Sequence, residues 1–254
     1  MPNLIACRIL SYGNFMDRGW SHLPEIGIRH VEIPVPPPIY REAVRKHLRD
    51  HGVQASSLQA LVDISRTDAA ELMKPQLETC ASYGAKICFV SVKAGDNPLD
   101  VVYERLRAIG DVAARLGVVV AMETHPDLMS NGEVARRTIE AVNHPNVRVN
   151  FDTANVYYYN ENIDGVAELK KVADLVTAIH LKDTSGGYKE WNFPTLGEGV
   201  VDFPAVFKLM AERGFTGPYT MELEGVHGVE LDEPGQLKMV ADSLAYLRKI
   251  GAAG

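Results

Sequence analysis

The sequence predicts a (β/α)8 barrel occupying residues 1–254 as one domain. Three observations carry this reading. Short apolar runs alternate with longer amphipathic stretches from end to end, eight such runs can be found, and 254 residues is close to the roughly 250 that the fold typically needs. The runs lie at 4–10, 30–33, 53–58, 86–91, 118–123, 147–152, 176–182 and 218–223. Most are rich in Val, Ile, Ala or Phe, as parallel strands buried on both faces tend to be. Helical periodicity fills 41–51, 68–83, 98–116, 133–142, 166–174, 203–213 and 234–250, whereas the stretch between the first two runs is less regular. Several helical stretches close on a glycine that feeds the next strand at once: His51-Gly52-Val53, Tyr83-Gly84-Ala85, Leu116-Gly117-Val118 and Arg213-Gly214-Phe215. Glycine suits the left-handed position after a helix. Alternating strands and helices leave an open doubly wound sheet or a closed barrel. No G-x-G-x-x-G fingerprint follows an early strand, so the barrel is favoured.

Composition narrows the function. A formal charge of -7 denies the chain the overall attraction for phosphate backbones that non-specific nucleic-acid binding uses. The odd, sparse set Cys7, Cys80 and Cys88 reads as reduced thiols rather than a disulfide framework. MPNLIACRIL lacks the basic n-region and long apolar h-region of a signal peptide. No run approaches the roughly 18 apolar residues of a membrane span. A cytoplasmic protein without nucleic-acid or membrane partners is expected.

Chemistry concentrates at strand ends. Strand five reads VVVAMETHP and ends in Glu123; strand six, VRVNFDTAN, carries Asp152; strand seven, VTAIHLKD, carries His180; strand eight, PYTMELEG, carries Glu222. Barrel enzymes place their working groups at the C-terminal strand ends, and neighbouring strands are only about 4.8 Å apart. Any one of these residues alone could be a cap or a structural group, but four consecutive strand ends offering ligand atoms point to one ion. Three carboxylates and an imidazole suit Mn2+ first, with Co2+ or Mg2+ as alternatives; a structural zinc would call for thiolates.

These segments resemble the xylose-isomerase-like barrel superfamily, which includes sugar and sugar-phosphate isomerases, ketose 3-epimerases, inosose dehydratases and type IV apurinic endonucleases. The resemblance runs from HVEIP through METHP, FDTAN and HLKD to MELEG. HLKD followed by a Trp, a Pro and LGEGVVDF at 196–203 is typical of the isomerase/epimerase branch. It implies that Glu123, Asp152, His180 and Glu222 bind one divalent metal, and that Glu123 and Glu222 exchange a proton of a keto-sugar through an enediolate. Two positions depart from the ketose 3-epimerase pattern. Asn155 stands where a histidine follows the strand-six Asp, and no substrate-binding Glu matches near Met129.

Other polar residues near the mouth are candidates for substrate contact. Glu32 ends strand two and could hold hydroxyls or support a neighbour. His125, Asn155 and Lys182 follow the presumed ligands, and Trp191 could cover a sugar face. Arg8 is expected to enter the barrel bottom as a structural ion pair. His47 and His51 have the i, i+4 spacing of zinc proteases but lack the glutamate after the first histidine. The Gly197-Glu198-Gly199 turn lies where barrels often bind phosphate, but Glu198 and Asp202 favour an unphosphorylated sugar or cyclitol substrate. Rival readings are a lyase of the inosose-dehydratase type, an apurinic-endonuclease-type phosphodiesterase, and a metal-free sugar-binding barrel. The resemblance gives the endonucleases a three-metal cluster with several more histidines; this chain has only eight, and apart from His125 none lies just after a candidate ligand on a strand. Homo-oligomerisation is common in the superfamily.

Overall fold

The computed structural model describes residues 3–254. Eight parallel strands close into a barrel: β1 (Leu4–Arg8), β2 (His30–Pro34), β3 (Gln54–Gln59), β4 (Ile87–Val90), β5 (Val119–Glu123), β6 (Val147–Asp152), β7 (Val176–Leu181) and β8 (Pro218–Met221). Pairing of β1 with β8, Ala6 opposite Thr220, completes the ring. The helices are α1 (Met16–Ile26), α2 (Arg41–His51), α3 (Ala69–Ser82), α4 (Leu99–Leu116), α5 (Gly132–Val142), α6 (Gly165–Val172), α7 (Phe203–Glu212) and α8 (Glu233–Lys249). A one-turn helix, Asn155–Tyr158, follows β6, and a ribbon of Asn192–Phe193 against Gly225–Val226 joins the loops after β7 and β8. No helix among the described residues is long and apolar enough to cross a membrane.

Side chains alternate across each strand, and the alternation sorts core from site. On β5, Val120 and Met122 belong to the apolar layer packed under the helices, while Ala121 lies in a separate small cluster with Ile87 and Ala178 inside the ring. On β7, Ile179 and Leu181 likewise join the outer layer. That parity turns Glu123, Asp152, His180 and Glu222 into the barrel.

The helices are held by their ends and one face. Asp164, Asp202 and Asp232 accept backbone N–H groups of the first turns of α6, α7 and α8, an N-cap interaction worth about 1 kcal/mol each. Met73 and Leu77 of α3 are fully buried, and each such side chain contributes roughly 1.5–3 kcal/mol of burial. Gly52 and Gly117 end α2 and α4 with φ of 60° and 66°, the left-handed geometry their positions implied.

The irregular stretch after β1 is a 3-10 segment, Ile9–Phe15, running into α1. Pro24 and Gly19 obscure this helix in the sequence. Pro24 sits in its final turn before Gly27. Gly19 is demanded by packing, since a Cβ there would come within 2.7 Å of the Tyr12 ring. The strand therefore stops at Arg8 rather than at residue 10.

Candidate metal centre

At the C-terminal mouth, Glu123, Asp152, His180 and Glu222 each offer one ligand atom, all within 4.8 Å of one another, and all four are buried. No other group of this kind converges among the described residues. His180 Nδ1 lies 3.2 Å from Glu123 Oε1, 3.1 Å from Glu222 Oε2 and 4.0 Å from Asp152 Oδ2. Donors about 2.2 Å from a shared ion have such spacings. Asp152 is 0 % exposed, and its Oδ2 accepts no well-aligned hydrogen bond although the Lys182 ammonium is 3.1 Å away. A buried carboxylate oxygen left in this way fits a cation.

Charge argues the same way. The buried carboxylates of the centre are Glu32, Glu123, Asp152 and Glu222; the Arg8 and Lys182 cations lie among them. With His180 neutral, as a metal ligand must be, two negative charges remain among these groups, which one divalent ion would neutralise, and uncompensated buried charge is strongly unfavourable. In the metal-free centre the residues share their charge unevenly. Burial pushes Asp152 up, and Lys182 only partly offsets it. Burial alone would also raise Glu123, but the His180 hydrogen bond and charge, with Lys182 and Ser91, hold it down at about 2.

The other ring nitrogen of His180 settles its orientation. Nε2 is 3.2 Å from Glu32 Oε2, which also accepts Ser57 Oγ at 2.6 Å. Phe89 meets the ring edge-on at 4.7 Å between centroids. Glu32 thus fixes the imidazole with Nδ1 toward the centre, as carboxylates behind metal-binding histidines do. Burial alone would lower the His180 pKa, but Glu32 and Glu123 raise it to about 9. Below that pH the metal-free ring carries a proton that a cation at Nδ1 must displace. Metal binding at pH 7.5 is therefore expected to release about one proton, and affinity should climb as pH rises towards 9. Titration calorimetry in buffers of different ionisation enthalpy measures this; zero proton release would contradict it.

The remaining candidates separate into two groups. Lys182, 2 % exposed, spans Glu222 Oε2 at 3.0 Å and Glu224 Oε2 at 2.9 Å and belongs to the cluster. Trp191 is 44 % exposed, packs on Phe193 at 5.2 Å and lines a cavity of about 340 Å³ with Arg8, Glu222 and Gln236. Asn155 and His125 bond to the loop after β5. The Asn155 amide donates to the Thr124 carbonyl at 3.1 Å, its backbone N–H to Asp152 Oδ1 at 2.7 Å. His125 Nδ1 meets the Pro126 carbonyl, and its ring packs on Tyr159.

Arg8 is not at the barrel bottom. It ends β1 opposite Glu32 and reaches across the mouth, where Nη1 donates to Glu222 Oε1 and Nη2 to Gln59 Oε1 at 2.6 Å. Ser91 donates to Glu123 Oε2. Arg8, Gln59 and Ser91 all sit at strand ends with inward parity, the same signal that exposed the four acidic and histidine positions.

Two other sequence features resolve into structure. His47 stacks on Trp20 and His51, so these rings pack rather than converge on an ion. The amides around Gly197 and Gly199 already hold an anion, the buried Asp183 carboxylate. It accepts from Gly197 at 2.8 Å, Gly199 at 2.9 Å, Val201 at 3.1 Å and Thr184 at 2.9 Å. Those amides are not free for a phosphate.

A closed parallel barrel with an acidic and imidazole cluster at its mouth is the frame of a known class. Residues 21–250 match the xylose isomerase-like TIM barrel family, and the chain belongs to it. Its relatives include a ketose 3-epimerase from Arthrobacter globiformis, 27% identical over 223 residues, covering 78% of this chain and 74% of that one. The L-ribulose-5-phosphate 3-epimerase UlaE of Salmonella heidelberg (strain SL476) is 28% identical over 169 residues; the match spans 63% of this chain and 58% of the enzyme's length. Among solved structures, an L-ribulose 3-epimerase superposes with a TM-score of 0.78 at 15% identity, covering 98% of this chain and 94% of that one. A xylose isomerase-like TIM barrel protein from Mycobacterium smegmatis, in complex with magnesium, superposes with a TM-score of 0.77 at 20% identity, covering 99% of each chain.

Proposed function

We propose that the protein is a divalent-metal-dependent 3-epimerase of an unphosphorylated keto-sugar, acting in the cytoplasm. The observation that carries this reading is the convergence of Glu123, Asp152, His180 and Glu222 on one buried point. We assign these four as ligands, with Mn2+ the expected ion. When bound, such an ion supplies polarisation of a substrate carbonyl and stabilises the charge that develops on its oxygen.

The chain's own residues account for the rest. Glu123 and Glu222 are the proton carriers: one removes the proton from the carbon beside the carbonyl, the other returns one to the opposite face. Each has an oxygen beside His180 Nδ1, so both approach the same space from β5 and from just beyond β8. Lys182 and Arg8 keep negative charge from accumulating as the enediolate forms. Glu32 holds His180, and Trp191 covers the cavity beside Glu222. The identity of the relatives as 3-epimerases supports C3 as the reacting carbon. The engaged amides around Asp183, with Glu198 and Asp202 beside them, support a substrate without phosphate. The Asn155 and Met129 departures leave room for a sugar other than those of the ketose 3-epimerases.

Incubation with Mn2+ and a panel of ketoses, keto-cyclitols and keto-glycosides in D2O tests the reading. Deuterium is expected at a single carbon of one ketose, with its 3-epimer as product. Loss of water from the substrate would assign the chain to the lyases instead, and no exchange with any panel member would overturn the reading.

A further inference from the structure

The three carboxylates of the centre share a pattern: one oxygen faces inward, and the protein holds the other. Asp152 Oδ1 accepts the amides of Ala154 at 2.8 Å and Asn155 at 2.7 Å. Glu123 Oε2 is held by the Ser91 hydroxyl, and Glu222 Oε1 by Arg8. The third clamp differs in kind, because it is a full positive charge on the outer oxygen; the other cation of the centre, Lys182, lies instead on the inward oxygens of Asp152 and Glu222, at 3.1 and 3.0 Å. The Arg8 clamp is also rigid. The guanidinium is tied to Gln59 Oε1 at 2.6 Å, and its carbon lies 5.5 Å from the centre of the Phe89 ring.

We propose that Arg8 is a positioning residue that keeps Glu222 a one-oxygen ligand and so keeps a coordination position open for oxygens of the substrate. The inference rests on the metal-centre reading. Carboxylates bind hard cations with one oxygen or with both. With Oε1 committed to Arg8 and Oε2 facing inward, Glu222 contributes a single donor. Without the guanidinium, Oε1 is free to turn to the ion as well, and a like charge near the ion is gone; both changes strengthen metal binding. Arg8 therefore costs metal affinity and preserves access.

Mn2+ alone is the probe. Arg8→Met is expected to tighten Mn2+ binding about threefold or more, measured by titration with paramagnetic resonance of the free ion. The number of exchangeable waters on bound Mn2+, read from water-proton relaxation, should fall by about one as the second oxygen takes a position. Arg8→Lys restores a cation beside Oε1 and should return both values towards those of the unaltered protein. Gln59→Leu loosens the guanidinium without removing its charge and should shift the water count in the same direction by less; it carries the test if Arg8→Met does not fold. A purely structural Arg8 predicts the reverse: looser Mn2+ and an unchanged water count, and either result in a folded variant overturns the proposal. Unaltered protein that binds no Mn2+ would overturn the metal centre and this inference together. Absence of ketose exchange with normal Mn2+ binding would overturn only the epimerase assignment.

Discussion

Stripping the protein with a chelator is expected to abolish deuterium exchange into its ketose substrate, and added Mn2+, Co2+ or Mg2+ should restore it. The size of the effect follows from the site's composition. Four buried carboxylates with Arg8, Lys182 and a protonated His180 among them still leave the metal-free pocket negative, so it repels an enediolate until a divalent ion balances it. Stabilisation of developing charge is usually the largest single contribution to catalysis, so residual exchange should be at background. Re-addition of each ion to one stripped sample, followed by proton NMR, measures both loss and recovery. Full exchange in protein shown to be metal-free would remove the ion from the mechanism.

The second large effect concerns the two glutamates. Glu123→Gln and Glu222→Gln should each lower turnover by about 10²–10⁴ with Mn2+ at saturation, because an amide retains a ligand oxygen but accepts no proton. Asp152→Asn and His180→Ala should instead act mainly through metal retention and recover in part at high Mn2+. Exchange and product formation must be followed separately. The variant lacking the abstracting base loses both, while the one lacking only the returning acid can still exchange on the original face. If both glutamine variants regain full turnover at saturating Mn2+, the glutamates are ligands alone and Lys182 becomes the first alternative carrier.

Much of this centre was readable from the chain because barrels make position along a strand equivalent to position in the site. For the strands that carry Glu123, Asp152, His180 and Glu222 at or just beyond their ends, period-two alternation and the position of the mouth bring those side chains together. The same logic reached Lys182, two residues past His180. Arg8 is hidden because the apolar run continues to residue 10, two past the strand, which moves the apparent strand end beyond it. The helix after it escaped because Pro24 and Gly19 mark interruption in sequence while serving an end turn and a tight ring contact in space. The roles of Glu32 and Ser91 depend on which oxygen faces which atom across neighbouring strands. Spacing along the chain does not encode that. The bond from the Asn155 side-chain amide to the Thr124 carbonyl is likewise a contact that spacing along the chain does not encode.

The Asp183 carboxylate bonds the amide at the start of the loop after β7, Thr184, and three amides near its end, at Gly197, Gly199 and Val201. Mechanically it is a clasp at the neck of a loop. Between these anchor points Phe193 packs against the Lys182 ammonium at 5.0 Å and pairs with the loop after β8. Closing a loop at its neck also makes its length cheap to change, since each doubling costs only about 0.6 kcal/mol of closure entropy. The exposed turn before Trp191 can therefore be lengthened or reshaped while Asn192–Phe193 stays paired with the loop after β8. That makes it the natural place for this barrel to acquire a new sugar without rebuilding its chemistry.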